Sequence, residues 1–433
     1  MLQAIKNVVE KKRGDIISFT QNLLKISSVQ NPPTGSEKES QEFLAGKLRQ
    51  LGLKIDLFEL GEIAGLTDHP AYNPIGMGGP RRDYRGRPDL VGFWKGKGGG
   101  QSLILSGHVD TVSPIHIEEW KHDPWGGEIE NGKIFGVGAV DNKGPLSSML
   151  MAIDCLRELG VELKGDLIYE SVIDEEHGGA NGSLATLMRG YTADAIILGE
   201  PTDLGVAVAN YGCQKIEISF RGRIRHHFER EKSIPPIKLA MSICQAMEDL
   251  EQERCEKGNV LLPDKADLPI RIPFLKIGDM EDREKIEDGR MVLWLATRPD
   301  ESQDMLFQEV RDCLAKLAQG ESWLHKSSLQ LQCIGRHLEG SSISLTHPLA
   351  ICLNNTFQEV MGKKPDNIYG TSCDLFIYTK HAQIPGLVFG PGKLSCAHAT
   401  DEHIEIEDLL NSVKLYAMLI LNWCGYEKNG EIK

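Results

Sequence analysis

No apolar run in this chain of 433 residues approaches the ~20 residues needed to cross a bilayer, which argues against a membrane span. Positive charge is in deficit, with 48 Lys and Arg against 62 Asp and Glu and a formal net charge of −14. Nucleic acid and anionic membranes both require a positive surface to displace counterions, so neither is an expected partner. None of the ten cysteines, scattered from Cys155 to Cys424, forms a C-x-x-C pair. That excludes a zinc ribbon and a thioredoxin-type redox motif, and leaves the thiols as small apolar residues in a reducing compartment. No G-x-S-x-G elbow occurs, and Gly136-Val-Gly-Ala-Val-Asp141 opens like a dinucleotide fingerprint but ends in aspartate. Internal repeats are absent, and the glycine-rich stretch Gly96 to Gly100 reads as a turn before a strand. Met1 to Thr20 lacks an apolar h-region and reads as a soluble helix, so a cytoplasmic location is expected.

What is present is an ordinary globular composition, 41% hydrophobic and 25% charged, which makes global disorder an unsuitable reading. The first part alternates helical and strand patterns. A helix spans residues 1–25, and a second starts at Ser36, with a capping box completed by Glu39, and runs to about Leu51. Residues 61–90 read as a long irregular loop. The short apolar runs Leu103–Leu105, Leu167–Ile173 and Ala195–Leu198, separated by helical stretches, predict a mostly parallel sheet covered on both faces. Near residue 210 the pattern changes to alternation, as in Lys215–Phe220. Strand, helix, strand, strand, helix, strand then follow to about Ile334, the split βαβ order of a small α+β domain. The buried style returns after about residue 340. The expected organisation is α/β: a catalytic domain of residues 1–209 and 336–433, interrupted by an α+β domain of residues 210–335.

Four runs lead into acidic or imidazole groups. Leu103–Ser106 precedes Gly107-His108-Val109-Asp110, and Ile134–Gly138 precedes Asp141. Leu167–Ile173 precedes Asp174-Glu175-Glu176, and Ala195–Leu198 precedes Gly199-Glu200-Pro201-Thr202. Ligands in open α/β sheets bind beyond the carboxyl ends of the strands, so four strand ends would converge on one cleft, with Ala397-His398 as a fifth contribution. Histidine and carboxylates suit zinc, cobalt or manganese, and the absence of thiolate argues against a structural zinc knot. Each motif alone has a plainer reading: a hydrogen-bonded turn, a solvated acidic run, a satisfied histidine. Five in this order make that reading hard to sustain.

These stretches resemble the co-catalytic metallopeptidase family that contains acetylornithine deacetylase, succinyl-diaminopimelate desuccinylase, aminoacylase and carboxypeptidase G. The matching segments are Ser106-Gly-His-Val-Asp-Thr-Val-Ser-Pro114, Gly136-Val-Gly-Ala-Val-Asp-Asn-Lys-Gly144, Asp174-Glu-Glu-His-Gly-Gly179, Gly199-Glu-Pro-Thr202, and Gly390-Pro-Gly392 followed by His398. Similarity runs from about Asn31 to Gly425. The resemblance implies two divalent ions, zinc first and cobalt or manganese as alternatives. His108 and Glu200 would hold one ion, Glu176 and His398 the other, with Asp141 bridging. It also implies Asp110 as the group orienting His108 and Glu175 as general base. His226, in Gly222-Arg-Ile-Arg-His226, would be the oxyanion donor of the smaller domain, with adjacent His227 a rival. Arg298 would grip a substrate carboxylate, a strand-end salt bridge being the alternative there. The implied activity is hydrolysis of a small N-acyl amino acid or related N-acyl amine by a homodimer. A dipeptidase or carboxypeptidase, or an inactive ligand-binding paralogue, is the alternative. Three departures fall outside the ligand set: Asn142 where the family has methionine, no asparagine near Glu284 and Lys285, and His227-Phe228-Glu229-Arg230 with Pro235-Pro236 after His226.

Overall fold

The computed structural model describes residues 1–225, 233–258, 268–279, 281–282, 285–320 and 328–428. The chain forms two compact units, Met1–Asn210 with Ser341–Lys433, and Tyr211–Gly340. In chain order the first unit begins with helices α1 (Leu2–Lys11), α2 (Arg13–Leu24) and α3 (Lys38–Gln50) and strands β1 (Lys54–Glu59), β2 (Pro88–Trp94) and β3 (Leu103–His108). It continues through β4 (Lys133–Phe135), α4 (Lys143–Glu158), β5 (Leu167–Val172), α5 (Asn181–Met188), β6 (Ala195–Leu198) and β7 (Val206–Asn210). The second unit holds β8 (Gly212–Arg221), α6 (Pro236–Glu256), β9 (Ile270–Ile277), β10 (Asp288–Thr297), α7 (Gln303–Gly320) and β11 (Ser328–Leu338). The chain then returns with β12 (Ser341–Ser342), α8 (Pro348–Met361), β13 (Asn367–Gly370), β14 (Gly386–Val388), β15 (His403–Glu405) and α9 (Ile406–Cys424).

The central sheet of the first unit runs β12-β7-β14-β6-β3-β5-β2-β1, with β13 also paired to β7. Its middle, β14-β6-β3-β5, is parallel, and antiparallel pairs flank it at β5-β2-β1 and β14-β7. Every residue of β3, β5 and β6 is buried, which is why these strands read as unbroken apolar runs. Helices α4 and α9 pack on each other and on β3, while α3 and α5 pack on β2. Register sets the strand ends level: His108 lies opposite Val172, and Leu198 opposite Ser106.

Two expectations are corrected here. The run before Asp141 does not join the central sheet. β4 pairs instead with β15, Phe135 opposite His403, in a separate three-stranded sheet. Gly138, at φ 85, cannot continue a strand, so Asp141 arrives on a turn at the start of α4 rather than on a strand end. Helix α3 does not start from a Ser36 capping box. Its N-cap is Glu37, and no side chain caps the first turn. The Glu37 carboxylate is taken by the buried Arg87 guanidinium, at 2.6 and 2.9 Å. Breaking such a buried pair costs about 3–5 kcal/mol, several times what a cap contributes.

In the second unit the four antiparallel strands run β9-β10-β8-β11. Along β8, Ile216, Ile218 and Phe220 are buried while Lys215, Glu217 and Ser219 are half-exposed. The buried face packs against Leu239, Ile243 and Met247 of α6 and Val310 and Leu314 of α7. Among the described residues, no helix is long and apolar enough to cross a membrane.

Candidate metal centre

β3 carries His108 as its last residue, at the carboxyl end of the strand, with its side chain 1% exposed. Its Nδ1 lies 2.8 Å from the Asp110 carbonyl oxygen. A carbonyl can only accept, so Nδ1 donates and Nε2 is the nitrogen turned inward to the acids. Nε2 meets Asp141 Oδ1 at 3.0 Å, Glu200 Oε1 at 3.8 Å and Glu175 Oε2 at 3.9 Å. Asp110 thus meets this imidazole through its backbone carbonyl. The carboxylate stands 3.7 Å off and instead accepts from the Glu176 amide at 3.1 Å.

Asp141 sits between two histidines, one per oxygen. Its Oδ2 lies 3.4 Å from His398 Nε2, which also reaches Glu176 Oε2 at 2.9 Å. One ligand atom each from His108, Asp141 and Glu176 falls within 4.8 Å of the others. The turn carrying Asp141 is fixed by Glu402, whose carboxylate accepts from the amides of Gly138, Val140 and Asp141 at 3.1, 2.9 and 3.2 Å. Asn142, the residue departing from the family pattern, donates its side-chain amide to the Gly199 carbonyl and so ties this turn to the one bearing Glu200.

The electrostatics describe an excess of buried acid. Burial lifts Glu175 and Glu200 well above the usual carboxylate range. Repulsion from Glu176 and Asp374 adds to it at both, and His108 relieves it. The hydrogen bond that His398 donates to Glu176 pushes the imidazole up to about 9. For His108, burial opposes the charged form, but Asp141, Glu200 and Glu175 outweigh it and raise the ring well above its ordinary value. Among the proposed site residues, Glu200 Oε1 and Asp110 Oδ1 are buried without a hydrogen-bond partner. An unsatisfied buried acceptor costs about 1–3 kcal/mol unless something positive faces it. Two imidazoles, crowded carboxylates and an unpaired Glu200 oxygen beside His108 Nε2 fit hard or borderline divalent ions.

The structure therefore brings His108, Asp110, Asp141, Glu175, Glu176, Glu200 and His398 together. Arg298 stands at the end of β10 in the second unit. There Nη1 bonds Glu301 at 2.7 Å, Nε the Gly258 carbonyl at 3.1 Å and Nη2 the Arg254 carbonyl at 2.6 Å. These are bonds of the kind the salt-bridge alternative expects, made inside the second unit. His226 and His227 lie outside the described residues. Sequence reasoning missed Glu402 and Asp374. Glu402 makes its contacts to backbone amides, which leave no residue pattern. Its one signal is a carboxylate four residues past His398.

The chain belongs to peptidase family M20/M25/M40, whose model matches residues 104–422. It is accordingly a metal-dependent hydrolase of linear amides, and the resemblance read from the motifs holds. Among its relatives is N-formyl-4-amino-5-aminomethyl-2-methylpyrimidine deformylase of Bacillus subtilis (strain 168), 26% identical over 457 aligned positions covering 99% of each chain. In fold it is similar to the di-peptidase Dug1p of Saccharomyces cerevisiae, with a TM-score of 0.72 at 15% identity over 98% of each chain. It is also similar to the YXEP protein of Bacillus subtilis, described as a dinuclear metal-binding peptidase. That match has a TM-score of 0.64 at 15% identity, over 95% of this chain and 98% of that one.

Proposed function

We propose that this hydrolase removes a formyl or similarly short acyl group from a small heteroaromatic amine, releasing the acid and the free amine. The observation carrying the two-metal reading is Asp141, with one oxygen turned to His108 and the other to His398. In this reading His108 and Glu200 hold one ion, Glu176 and His398 the second, and Asp141 both. Bound divalent ions, zinc first and cobalt or manganese otherwise, would polarise the scissile carbonyl and bring the pKa of water from 15.7 towards ~7. Glu175, buried beside His108, accepts the proton of the attacking water and delivers it to the leaving nitrogen. Asp110 holds the Glu176 backbone, and its carbonyl keeps the His108 ring in register. His226 or His227 remains the proposed donor to the developing oxyanion.

Two facts favour an amine without a carboxylate over the N-acyl amino acid expected from the motifs. The Arg298 fork is spent on Glu301 and two carbonyls. The full-length relatives also include two aminopyrimidine deformylases, at 26% and 24% identity. A cytoplasmic homodimer completes the proposal, supported by ten cysteines that form no disulfide and by family membership.

The test is one screen of the zinc-, cobalt- and manganese-loaded protein against a formylated aminomethylpyrimidine, acetylornithine, succinyl-diaminopimelate and simple dipeptides. Formate release from the pyrimidine at the highest kcat/KM is expected. Preference for dipeptides, or no turnover with any metal, would overturn the reading.

A further inference from the structure

The long irregular loop of residues 61–90 has so far had no part in the chemistry, nor has Asp174. They meet. Asp174 has φ 71, a left-handed conformation that a non-glycine residue seldom adopts. Its side chain is fully buried. Its Oδ1 accepts from Gln30 Nε2 at 2.6 Å and from Arg82 Nε at 3.3 Å. Its Oδ2 accepts from the Tyr84 hydroxyl at 2.7 Å and from Asn181 Nδ2 at 3.0 Å. Four donors from three separate segments thus close on one carboxylate.

The loop is joined to the same turn independently. The Met77 amide donates to the His177 carbonyl at 2.7 Å, and the Asn73 amide to Asn181 Oδ1 at 3.1 Å. The turn itself is tight: Ala180 donates back to the Asp174 carbonyl at 2.9 Å, and a Cβ at Gly179 would fall 1.8 Å from Asp174 Oδ2. The next residue along the chain is Glu175, followed by Glu176, whose amide is held by Asp110. The dipeptide is therefore pinned at both ends, by Asp110 on one side and by Asp174 on the other.

We infer that Asp174 is a positioning residue that, braced by Arg82 and Tyr84 of the 61–90 loop, aims the Glu175 carboxylate at the attacking water. The inference rests on Glu175 being the proton acceptor. An energetic argument supports such a brace. Left-handed backbone at a non-glycine residue costs on the order of 1–3 kcal/mol and persists only where surrounding bonds over-determine it. Charge-assisted hydrogen bonds are worth about twice neutral ones, and four of them supply that determination here. A misplacement of about 1 Å at a reacting group costs roughly 10²-fold in rate.

The experiment compares Asp174→Asn and Tyr84→Phe with wild type, each metal-loaded, well below its melting temperature. In Asp174→Asn one oxygen becomes an amide that faces donors, and kcat should fall at least tenfold while KM and bound metal stay within twofold. Tyr84→Phe, which removes one donor and retains the ring, should show the same split, with a three- to tenfold loss in kcat. Should both variants melt lower yet keep wild-type kcat, Asp174 is scaffold only and the inference fails. It fails equally if metal is lost in step with kcat, since the brace would then serve Glu176. A wild-type protein that hydrolyses no amide removes the proposed function and this inference together. A working wild type with unimpaired variants removes this inference alone.

Discussion

His398 and His108 carry protons that any metal ion must displace. Glu176 holds His398 at about 9, and Asp141 with its acidic neighbours keeps His108 well above its ordinary value. Both raised values mean that the metal-free rings are cationic at pH 7, whereas an ion requires neutral imidazole. Metal binding at pH 7 should therefore release protons, and affinity should climb as pH rises from about 6.5 towards 9. Titration calorimetry in buffers of different ionisation enthalpy measures this directly, and zero proton release would count against these histidines as ligands. Glu175 separates from them by a different signature. It lies 3.9 Å from His108, and in the proposed reading it moves a proton and holds no ion. Glu175→Ala should lose about 10²–10⁴ in kcat, the usual worth of a general base, while metal content stays unchanged. Metal content and single-turnover rates, measured together, check it.

At the scale of elements, the turn from Gly136 to Asn142 matters more than any strand. Its three amides end on Glu402, a buried carboxylate pushed up to about 8 by burial against those same hydrogen bonds. Glu402→Gln should weaken metal affinity by roughly tenfold, since a carboxamide nitrogen would face an amide donor and release part of the turn. Equilibrium dialysis against zinc checks this, and undiminished affinity would mean the turn holds without Glu402. The sheet around it was largely readable beforehand. β3, β5 and β6 are buried on every residue, so their apolar runs gave both their extent and the direction of their ends, and with them His108, Glu175, Glu176 and Glu200. The Asp141 turn was misread as a strand because Val137, Ala139 and Val140 are buried without belonging to a ladder, and hydrophobicity reports burial, not hydrogen bonding. The β2 strand escaped notice beside its glycine- and arginine-rich loop, although Leu90 and Val91 are fully buried. Glu402 and the Asp174 contacts were illegible for a related reason: carboxylates that bind backbone amides or distant side chains leave no periodic trace in the chain.

For the whole molecule, the surplus of acid is put to two uses. Some of the 62 acidic residues crowd the metal centre, whereas others fix arginines that hold the second unit together. Arg254 is buried there, bonded to the Ala296 carbonyl at 2.9 Å and to Glu301 at 2.8 Å, and paired with Glu309. Arg298 bonds the same Glu301 and the Arg254 carbonyl, so the end of β10 and the end of α6 share one carboxylate. Both partners of the Arg298–Glu301 pair are close to nine-tenths covered, so solvent screens it little. Removing Arg298 leaves the Gly258 and Arg254 carbonyls without that donor and Glu301 with one cation fewer, a loss of about 1–3 kcal/mol per unsatisfied buried group. Arg298→Ala should therefore lower the calorimetric melting temperature by several degrees, on the scale of about 2–8 °C per kcal/mol for domains of roughly 60 to 250 residues. Because the fork is already committed, KM for any substrate turned over should move less than twofold. The two readouts oppose the alternative cleanly. An arginine reserved for a substrate carboxylate would raise KM tenfold or more for carboxylate-bearing amides and leave the melting temperature where it was, and that result would restore the N-acyl amino acids as the substrate class.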